Sequence, residues 1–422
     1  MLTSLKNKSW IAANWGLILI LSGAVVLRVG VAVYLGNSPS QMPGIYDEVS
    51  YHTLALRLME GYGYSFPENW YPFTLANTPT AHWSFLYPLY LVGVYRLFEP
   101  GVLAARLIQA VIGGAGMGWL IHRIGTRLAG QRVGLAGTGL FAVYGYWIYY
   151  NAALMTETFF TLALLVALDR ALALQEKQTL RRWAGLGAAL GVASLSRQTA
   201  LFLIPVFLAW LAWTLRRSIQ WRGLAMAALL PAVFIAPVTL RNQRVYHQFL
   251  LLNSNSGYAW YASVNPGLGT RWDADKVVVP VPDGLAGLNE AQLDRELSRR
   301  ALNTVLADPG RIAALTISKA LDQFRFWPSP QSGGFSNLIR VGSFGWYLPL
   351  MLAGWVPSAR RWRVYLPVYL AAVVLSAVHI LTWPAARYRL PVDALMMPAA
   401  GLALVALMDW ITSRTRRRAV AA

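Results

Sequence analysis

The chain contains no cysteine among its 422 residues. Disulfide bonds, thiolate metal sites and cysteine nucleophiles are therefore excluded from any account of its function. Charge is also scarce, because Asp, Glu, Lys and Arg together make up only 13% of the residues, about half of what a soluble chain usually carries. The five histidines have no metal-binding spacing, so a dedicated zinc site is not indicated.

Apolar residues are correspondingly abundant. They make up 56% of the chain, and the mean hydropathy is +0.43. Because a helix needs about 20 mostly apolar residues to cross a bilayer, this composition predicts an all-α, polytopic membrane helical bundle. We expect about ten transmembrane helices, at residues 14–35, 102–122, 133–150, 157–174, 184–196, 199–215, 223–240, 337–355, 364–382 and 391–411.

The apolar stretch 84–98 decides the topology. It is short for a span, and if it lies at the membrane interface, all the basic clusters between spans fall on one side, which is then the cytoplasm. This assignment predicts a multi-pass protein of the inner (plasma) membrane with both termini inside. The net charge of +19 is thus explained by topology and contact with membrane lipids, and no nucleic-acid partner is expected.

Two long segments remain outside in this topology, and they divide the chain. We expect an N-terminal catalytic module at 1–240 that includes an outer loop at 36–101, an extracytoplasmic region at 241–336, and C-terminal transmembrane helices at 337–422. The outer segments hold most of the acidic residues, which suggests that the chemistry takes place at the outer face. Within the second segment, apolar spacing over 288–308 predicts an amphipathic helix.

The adjacent carboxylates Asp47 and Glu48 are the most informative pair in the chain. Ionisable groups beside a bilayer are costly unless they are paired or solvated, and they therefore suggest a functional site. Asp47 lies near a predicted helix start, where an acid is favoured by the helix dipole even without further function. The functional alternative is a general base that takes a proton from an acceptor hydroxyl.

Glu157 opens another predicted helix on the same side of the membrane as Asp47. Thr156 or a neighbouring residue could cap this helix, with Glu157 favoured in its first turn. Alternatively, Asp47 and Glu157 share one site, where they orient the acceptor or bind a divalent cation. No cofactor is certain from the sequence, and such a cation remains an open expectation.

Four arginines and several aromatic residues complete the candidate site. The arginines depart from the positive-inside trend, and they either bind lipid phosphate bidentately or reach toward the headgroups; they are Arg197, Arg241, Arg387 and Arg389. The aromatic segment 62–90 contains Tyr87, and its rings either anchor the chain at the interface or stack on a sugar. His82 in this segment is either a structural histidine or a substrate ligand.

Several short motifs, in a fixed order, resemble those of a known family. They are Tyr46-Asp47-Glu48-x-x-Tyr51, Thr78-Pro79-Thr80, Leu86-Tyr87-Pro88-Leu89-Tyr90, Ala104-Ala105-Arg106-Leu107-Ile108-Gln109, Met155-Thr156-Glu157-Thr158-Phe159, Ser196-Arg197-Gln198-Thr199-Ala200 and Tyr388-Arg389-Leu390-Pro391. Their order is similar to that of the polyprenyl-phosphate-sugar-dependent glycosyltransferases of the GT-C fold. Protein O-mannosyltransferases and aminoarabinose lipid A transferases are the groups with the strongest resemblance.

The resemblance implies a GT-C bundle with juxtamembrane helices and an inverting transfer at the outer membrane face. A sugar on a polyprenyl-phosphate donor would pass to a lipid, glycan or protein hydroxyl, with Asp47 in the position of the base and Glu157 as a second acid. Relatives often have a basic residue followed by Pro-Pro where this chain has Trp83-Ser84-Phe85. Donor phosphate binding then falls to His82, Arg197 or the later arginines.

Two other classes of protein stay open at this point. A transporter or flippase for lipid-linked sugars would place polar groups near the bilayer midplane, in interrupted helices and often in inverted repeats. A non-catalytic subunit of an envelope glycan assembly complex would bind the donor lipid without turning it over.

Overall fold

The computed structural model describes residues 2–40, 46–99, 101–273, 277–285, 287–328 and 333–421. Within these ranges the chain contains helices and no named strand; Ser65–Pro79 and Trp70–Thr74 form isolated β-bridges. The all-α class expected from the composition is confirmed. The first half comprises α1 (Leu2–Leu35), α2 (Asp47–Met59), α3 (Leu86–Phe98), α4 (Val102–Val111), α5 (Gly118–Ala129), α6 (Gln131–Ala142), α7 (Gly145–Tyr150), α8 (Glu157–Glu176), α9 (Leu180–Ser196) and α10 (Leu203–Thr214).

The second half begins with one long helix, continues through shorter helices, and ends with two long helices. It comprises α11 (Trp221–Tyr246), α12 (Ser256–Ser263), α13 (Glu290–Ala307), α14 (Pro309–Gln323), α15 (Gly334–Ile339), α16 (Gly345–Ala353), α17 (Trp355–Ser358), α18 (Trp362–Leu381) and α19 (Ala386–Ala421). Short π-helical turns at Ile112–Met117 and Arg340–Phe344 join α4 to α5 and α15 to α16.

Five helical stretches in the described part are long and apolar enough to cross a membrane. They are Asn14–Leu35, Val102–Ala129, Trp221–Tyr246, Ser336–Leu381 and Ala386–Arg416. These stretches contain six of the ten expected spans, because Ser336–Leu381 includes both 337–355 and 364–382. Three of the other expected spans are represented by α8, α9 and the 3₁₀–α10 segment Gln198–Thr214, while α3 is a 13-residue helix of about 20 Å, too short to span 30 Å of hydrocarbon.

The expected span at 133–150 is divided between two helices. Helix α6 ends at Ala142, and the chain is extended at Tyr144 before α7 begins at Gly145. The break lets the buried Tyr144 donate a hydrogen bond to Asp393 Oδ2 at 2.6 Å and pack edge-on against Tyr347. The hydrogen bond to α19 and the ring contact with α16 thus stabilise the break in the helix.

The basic clusters meet at one end of the bundle, which we call the basic end. Arg123 and Arg127 bind Asp169 near the end of α8, and Arg361 donates to the carbonyl of Leu128. Helices α8 and α19 run from the opposite end toward this one. The arrangement places the starts of α2, α8 and α19, and therefore the candidate acids, away from the basic end.

The two outer segments pack against each other as one cap rather than as separate loops. Buried Glu290 at the start of α13 joins them, because its carboxylate accepts hydrogen bonds from Thr74 Oγ1 (2.9 Å), the Ala81 amide (2.7 Å) and Ser254 Oγ (2.8 Å). The amphipathic helix expected at 288–308 is present as α13, with a capping box. Its buried face ends near Ala301, and Leu306 is exposed.

Lys319 of α14 connects this cap to the loop before α19. Its side chain is only 2% exposed, and its Nζ donates to the Thr382 carbonyl at 3.0 Å beside the Trp272 ring. Burial lowers the pKa of Lys319 from 10.5 to about 7, with a smaller contribution from the nearby positive charge of Arg311. The neutral amine still donates to Thr382, so the contact persists after deprotonation.

This burial predicts a pH-dependent stability. Between about pH 7 and pH 10.5 the unfolded chain holds a proton on Lys319 that the folded chain has lost, so the free energy of unfolding rises with pH, by at most about 1.4 kcal/mol per unit. We expect Lys319→Met to remove this contribution, measured as a smaller gain in thermal midpoint between pH 6.5 and pH 8.5 in detergent. The exposed Lys177→Met is the control, and an unchanged gain in Lys319→Met would contradict the assignment.

Candidate active site

Asp47 binds an arginine from the far end of the chain. It begins α2, and the residue that caps this helix, Tyr46, makes no side-chain capping bond. The Asp47 carboxylate instead accepts a 2.6 Å hydrogen bond from Arg387 Nη1 at the start of α19, and the two side chains are 13% and 15% exposed. Asp47 is therefore a partly accessible carboxylate that is paired with an arginine.

Glu48 points in another direction and has a different environment. Its side chain is 1% exposed and forms a bidentate pair with Arg106, at 2.7 and 3.0 Å. It also accepts the backbone amides of Ser40 and Leu154, at 2.6 and 3.0 Å. All of these contacts tie α2 to its neighbours, so the geometry favours a structural role for Glu48 over the catalytic role expected from the sequence.

Glu157 and Arg197 form a second pair at the same end of the bundle. Arg197 stands in extended backbone between α9 and the 3₁₀ turn, and its Nη2 donates to Glu157 Oε1 at 2.7 Å. Its Nε donates to Thr156 Oγ1 at 3.0 Å. Thr156 precedes α8 but makes no capping bond, so its hydroxyl serves Arg197 rather than the helix.

Tyr388 contacts one arginine from each of the two ion pairs. The guanidinium carbons of Arg197 and Arg387 are each 4.8 Å from the centre of its ring, and Arg387 Nη2 donates to its hydroxyl at 3.0 Å. A stacked contact with His379, at 4.7 Å and 18° between the ring planes, fixes the ring. Tyr388 was not among the expected site residues, although the Tyr-Arg-Leu-Pro motif contains it.

Tyr51 of α2 is surrounded by the same four charged groups. Burial raises the pKa of Tyr51 well above 10, Asp47 raises it further, and Arg197, Glu157 and Arg387 also act on it. The phenol therefore stays protonated and can donate a hydrogen bond at any physiological pH. Asp47, Glu157, Arg197 and Arg387 consequently form one electrostatic cluster, which brings two acids from different helices to the same end of the bundle.

Two other candidates, His82 and Arg241, have surroundings of a different kind. His82 packs between Phe73 and Trp83, its Nδ1 has no hydrogen-bond partner, and burial lowers its pKa to about 4 against the opposing influence of Glu290 and Asp47. It is therefore neutral. Arg241 lies near the rings of Tyr64, Phe85 and Tyr246 under the cap.

Arg389 does not face the cluster, contrary to the prediction of an external phosphate ligand. Its side chain is fully buried, binds Asp393 at 3.2 Å and donates to the Gln323 carbonyl at 2.7 Å. Residues two apart on a helix point about 200° away from each other, so Arg387 and Arg389 cannot serve one site. Arg389 joins α19 to α14 instead.

An apolar groove begins beside the second ion pair. It has a volume of about 500 Å³ and runs between α3, α8 and α9, and its lining includes Tyr87, whose hydroxyl donates to Gln109 Oε1. Thr156 and Ser196, the neighbours of Glu157 and Arg197, line one end. The other lining residues are Leu86, Tyr90, Phe159, Leu162, Ala163, Val166, Gly185, Ala188, Ala189 and Val192.

The width of the groove follows from how α9 packs. Its glycines Gly187 and Gly191 lie so close to α11 that an added Cβ would meet Ala227 and Phe234 at about 3 Å. The helix is therefore held tightly on that side, while Gly185, Ala188 and Val192 leave space on the other. From Gly185 to Ser196 the groove extends about 16 Å along α9, more than half the thickness of the hydrocarbon core.

The described residues of this cluster offer few ligands for a divalent cation. Among the described residues, no group of three or more His, Cys, Asp or Glu side chains is arranged to hold a metal ion. Asp47 and Glu157 each bind an arginine, which already supplies the positive charge that a cation would bring.

Comparisons with known proteins confirm the resemblance expected from the motifs. Residues 82–240 match the dolichyl-phosphate-mannose-protein mannosyltransferase family. The chain also resembles the oligosaccharyltransferase AglB from Archaeoglobus fulgidus in complex with an inhibitory peptide and a dolichol-phosphate, with a TM-score of 0.57, 14% identity and 98% of this chain covered. No curated protein matches the sequence significantly.

A second solved structure has the same fold. ArnT from Cupriavidus metallidurans bound to undecaprenyl phosphate has a TM-score of 0.53 and 17% identity over 93% of this chain. The chain spans 53% of the AglB chain and 60% of the ArnT chain. It therefore has the GT-C membrane fold in a length not much more than half that of these proteins. The matched family segment contains Glu157 and Arg197 but begins after Asp47.

The different environments of Asp47 and Glu48 make a testable prediction. Glu48→Gln breaks a buried ion pair and leaves Arg106 uncompensated, so we expect a loss of about 3–5 kcal/mol of stability and a clearly lower thermal midpoint. Asp47→Asn changes a partly exposed pair and should leave the midpoint within a few degrees of the wild type. The measurement is fluorescence-detected thermal unfolding in detergent, and equal losses in the two variants would contradict this distinction.

Proposed function

We propose that this GT-C-fold protein is a membrane glycosyltransferase that moves a sugar from a polyprenyl-phosphate-linked donor to an acceptor hydroxyl. The observation that carries the proposal is the apolar groove that leads to Thr156 and Ser196, directly beside the Glu157–Arg197 pair. A groove of this kind fits an isoprenoid chain, and the arginine at its end fits a phosphate. The related structures were solved with dolichol-phosphate and undecaprenyl phosphate, which supports the same lipid class here.

In the proposed reaction Asp47 is the general base. The acceptor oxygen attacks the anomeric carbon from the face opposite the phosphate, the carbon–oxygen bond to the phosphate breaks, and the configuration inverts. The acceptor proton passes to Asp47. The leaving polyprenyl phosphate gains negative charge, which Arg197 and the neutral hydroxyl of Tyr51 stabilise. Lipids, glycans and proteins all remain candidate acceptors.

We place this site on the extracytoplasmic side of the plasma membrane. The support is the position of the basic clusters, which meet at the opposite end of the bundle and mark a cytoplasmic face by the positive-inside rule. The same position argues against a transporter, because the paired charges lie at the starts of helices α2, α8 and α19 rather than in interrupted helices at the midplane.

The assignment of the base predicts a specific loss of activity. Asp47→Asn keeps the shape of the side chain but cannot accept the proton, so transfer should fall by about 10²- to 10⁴-fold while expression and thermal midpoint are retained. Transfer is measured in membranes with a panel of undecaprenyl-phosphate-linked sugars, which includes the mannose donor. Glu296→Gln, an acid in an exposed ion pair on α13, is the matched control. Wild-type-like transfer by Asp47→Asn would refute the assignment.

The groove predicts a second loss, in donor binding. Ala188→Phe adds a ring to a residue that lines the groove, so we expect at least about tenfold weaker binding of undecaprenyl phosphate, measured by native mass spectrometry. Ala232→Phe, on the exposed face of α11, is the control and should bind normally. Lipids that copurify with the wild type should include a polyprenyl phosphate. Equal binding by both variants would remove the groove from the donor site.

A further inference from the structure

Each acid of the site is bound by an arginine. In the resting site, the proposed base Asp47 is therefore already engaged in an ion pair. Asp47 is paired to Arg387 at 2.6 Å, and Glu157 is paired to Arg197 at 2.7 Å. The bond from Arg387 occupies Asp47 Oδ2, one of the two oxygens that could receive the proton of the acceptor hydroxyl. A glycosyl transfer through Asp47 therefore requires something to loosen its pair with Arg387.

Arg197 is the arginine that a donor phosphate would reach first. Its backbone neighbour Ser196 and its hydrogen-bond partner Thr156 line the end of the groove, whereas neither Arg387 nor Asp47 is among the residues that line it. The Arg197 side chain is 13% exposed, whereas its partner Glu157 is 1% exposed. A phosphate at the groove end can thus contact Arg197 while Glu157 remains inside.

Glu157 also interacts with the second arginine. Arg387 Nη1 lies 4.0 Å from Met155 Sδ, two residues before Glu157, and both arginines contact the Tyr388 ring. Asp47 and Glu157 both act electrostatically on Arg387. A Glu157 carboxylate that loses Arg197 is a buried, unpaired charge, which is strongly unfavourable. Arg387 is the other cation of the four-residue cluster and can compensate it.

We propose that donor binding drives an exchange of ion-pair partners: the donor phosphate takes Arg197 from Glu157, Glu157 takes Arg387 from Asp47, and Asp47 becomes a free base. This inference rests on the proposed function and assigns Glu157 the role of a positioning residue that acts through Arg387. It makes the reaction ordered, because the base becomes competent only after the phosphate is bound. It also explains why an otherwise redundant second acid lies beside Asp47.

The exchange predicts opposite effects of one substitution on binding and on turnover. Glu157→Gln removes the competitor for Arg197, so undecaprenyl phosphate should bind about tenfold more tightly, within the usual range for coupled sites. The same variant cannot draw Arg387 away from Asp47, so kcat for transfer should fall. A purely structural role for Glu157 would weaken both, and would not give tighter binding.

The experiment measures binding of undecaprenyl phosphate and of uncharged undecaprenol by native mass spectrometry of the full chain. We expect Arg197→Gln to lose at least tenfold in phosphate binding. Arg387→Gln should lose about threefold, because Glu157 then has no second arginine to pair with when the phosphate takes Arg197. The exposed pair on α13 supplies the controls Glu296→Gln and Arg299→Gln, which should both match the wild type.

The outcomes separate the two proposals. If the wild type binds undecaprenyl phosphate no better than undecaprenol, the proposed donor class is wrong. If it prefers the phosphate but Glu157→Gln binds it no more tightly, only the partner exchange is overturned. Should Glu157→Gln fail to fold, Arg387→Gln still decides, since binding of undecaprenyl phosphate at the wild-type level by this variant would overturn the exchange.

Discussion

The ion pair between Asp47 and Arg387 determines how the whole site is built. It joins residues 340 positions apart, and so fastens the first juxtamembrane helix to the last long helix. The neighbouring pair of Glu157 and Arg197 fastens α8 to the end of α9 in the same way. Two acids and two arginines leave the described cluster without net charge, as a polar site at the edge of a low-dielectric bilayer requires.

Helix geometry places neighbouring residues of similar chemistry in different environments. Asp47 and Glu48 are about 100° apart around α2, so one faces the cluster and the other faces Arg106 inside the bundle. The same geometry separates Arg387 from Arg389 on α19. In each case the partly exposed residue belongs to the candidate chemistry, and its fully buried neighbour holds together the helices that position it.

Much of this arrangement could be predicted from the sequence, and the remainder has identifiable causes. Apolar runs indicated where most of the helices lie. The motifs pointed to Asp47, Glu157 and Arg197, and the departure from the positive-inside trend pointed to Arg387; the fold brings these four residues together. The role of Arg389 could have been questioned from helical phase alone. Tyr388 and Glu290 could not have been assigned, because their partners come from segments that no local pattern connects.

The groove was equally inaccessible to sequence reasoning. In the sequence, small residues such as Gly185 and Ala188 are compatible with ordinary helix packing. Only the contacts of Gly187 and Gly191 with α11 show which side of α9 is packed and which side borders the groove. The break after Ala142 has a similar cause, since Tyr144 leaves the helix to bind Asp393, which comes much later in the chain. Long-range packing, rather than local propensity, decides both features.

The balance of charge during the proposed reaction explains why the site has two arginines rather than one. A donor phosphodiester brings one negative charge, and the leaving phosphate carries about one more, while Asp47 is neutralised by the acceptor proton. The total charge of the site stays constant, but negative charge moves from the Asp47 carboxylate to the departing phosphate. Arg197 lies at the groove end and can stabilise that phosphate, whereas Arg387, once it pairs with Glu157, keeps this carboxylate from competing for Arg197. A single arginine could pair with the phosphate or with Glu157, whereas two arginines can pair with both.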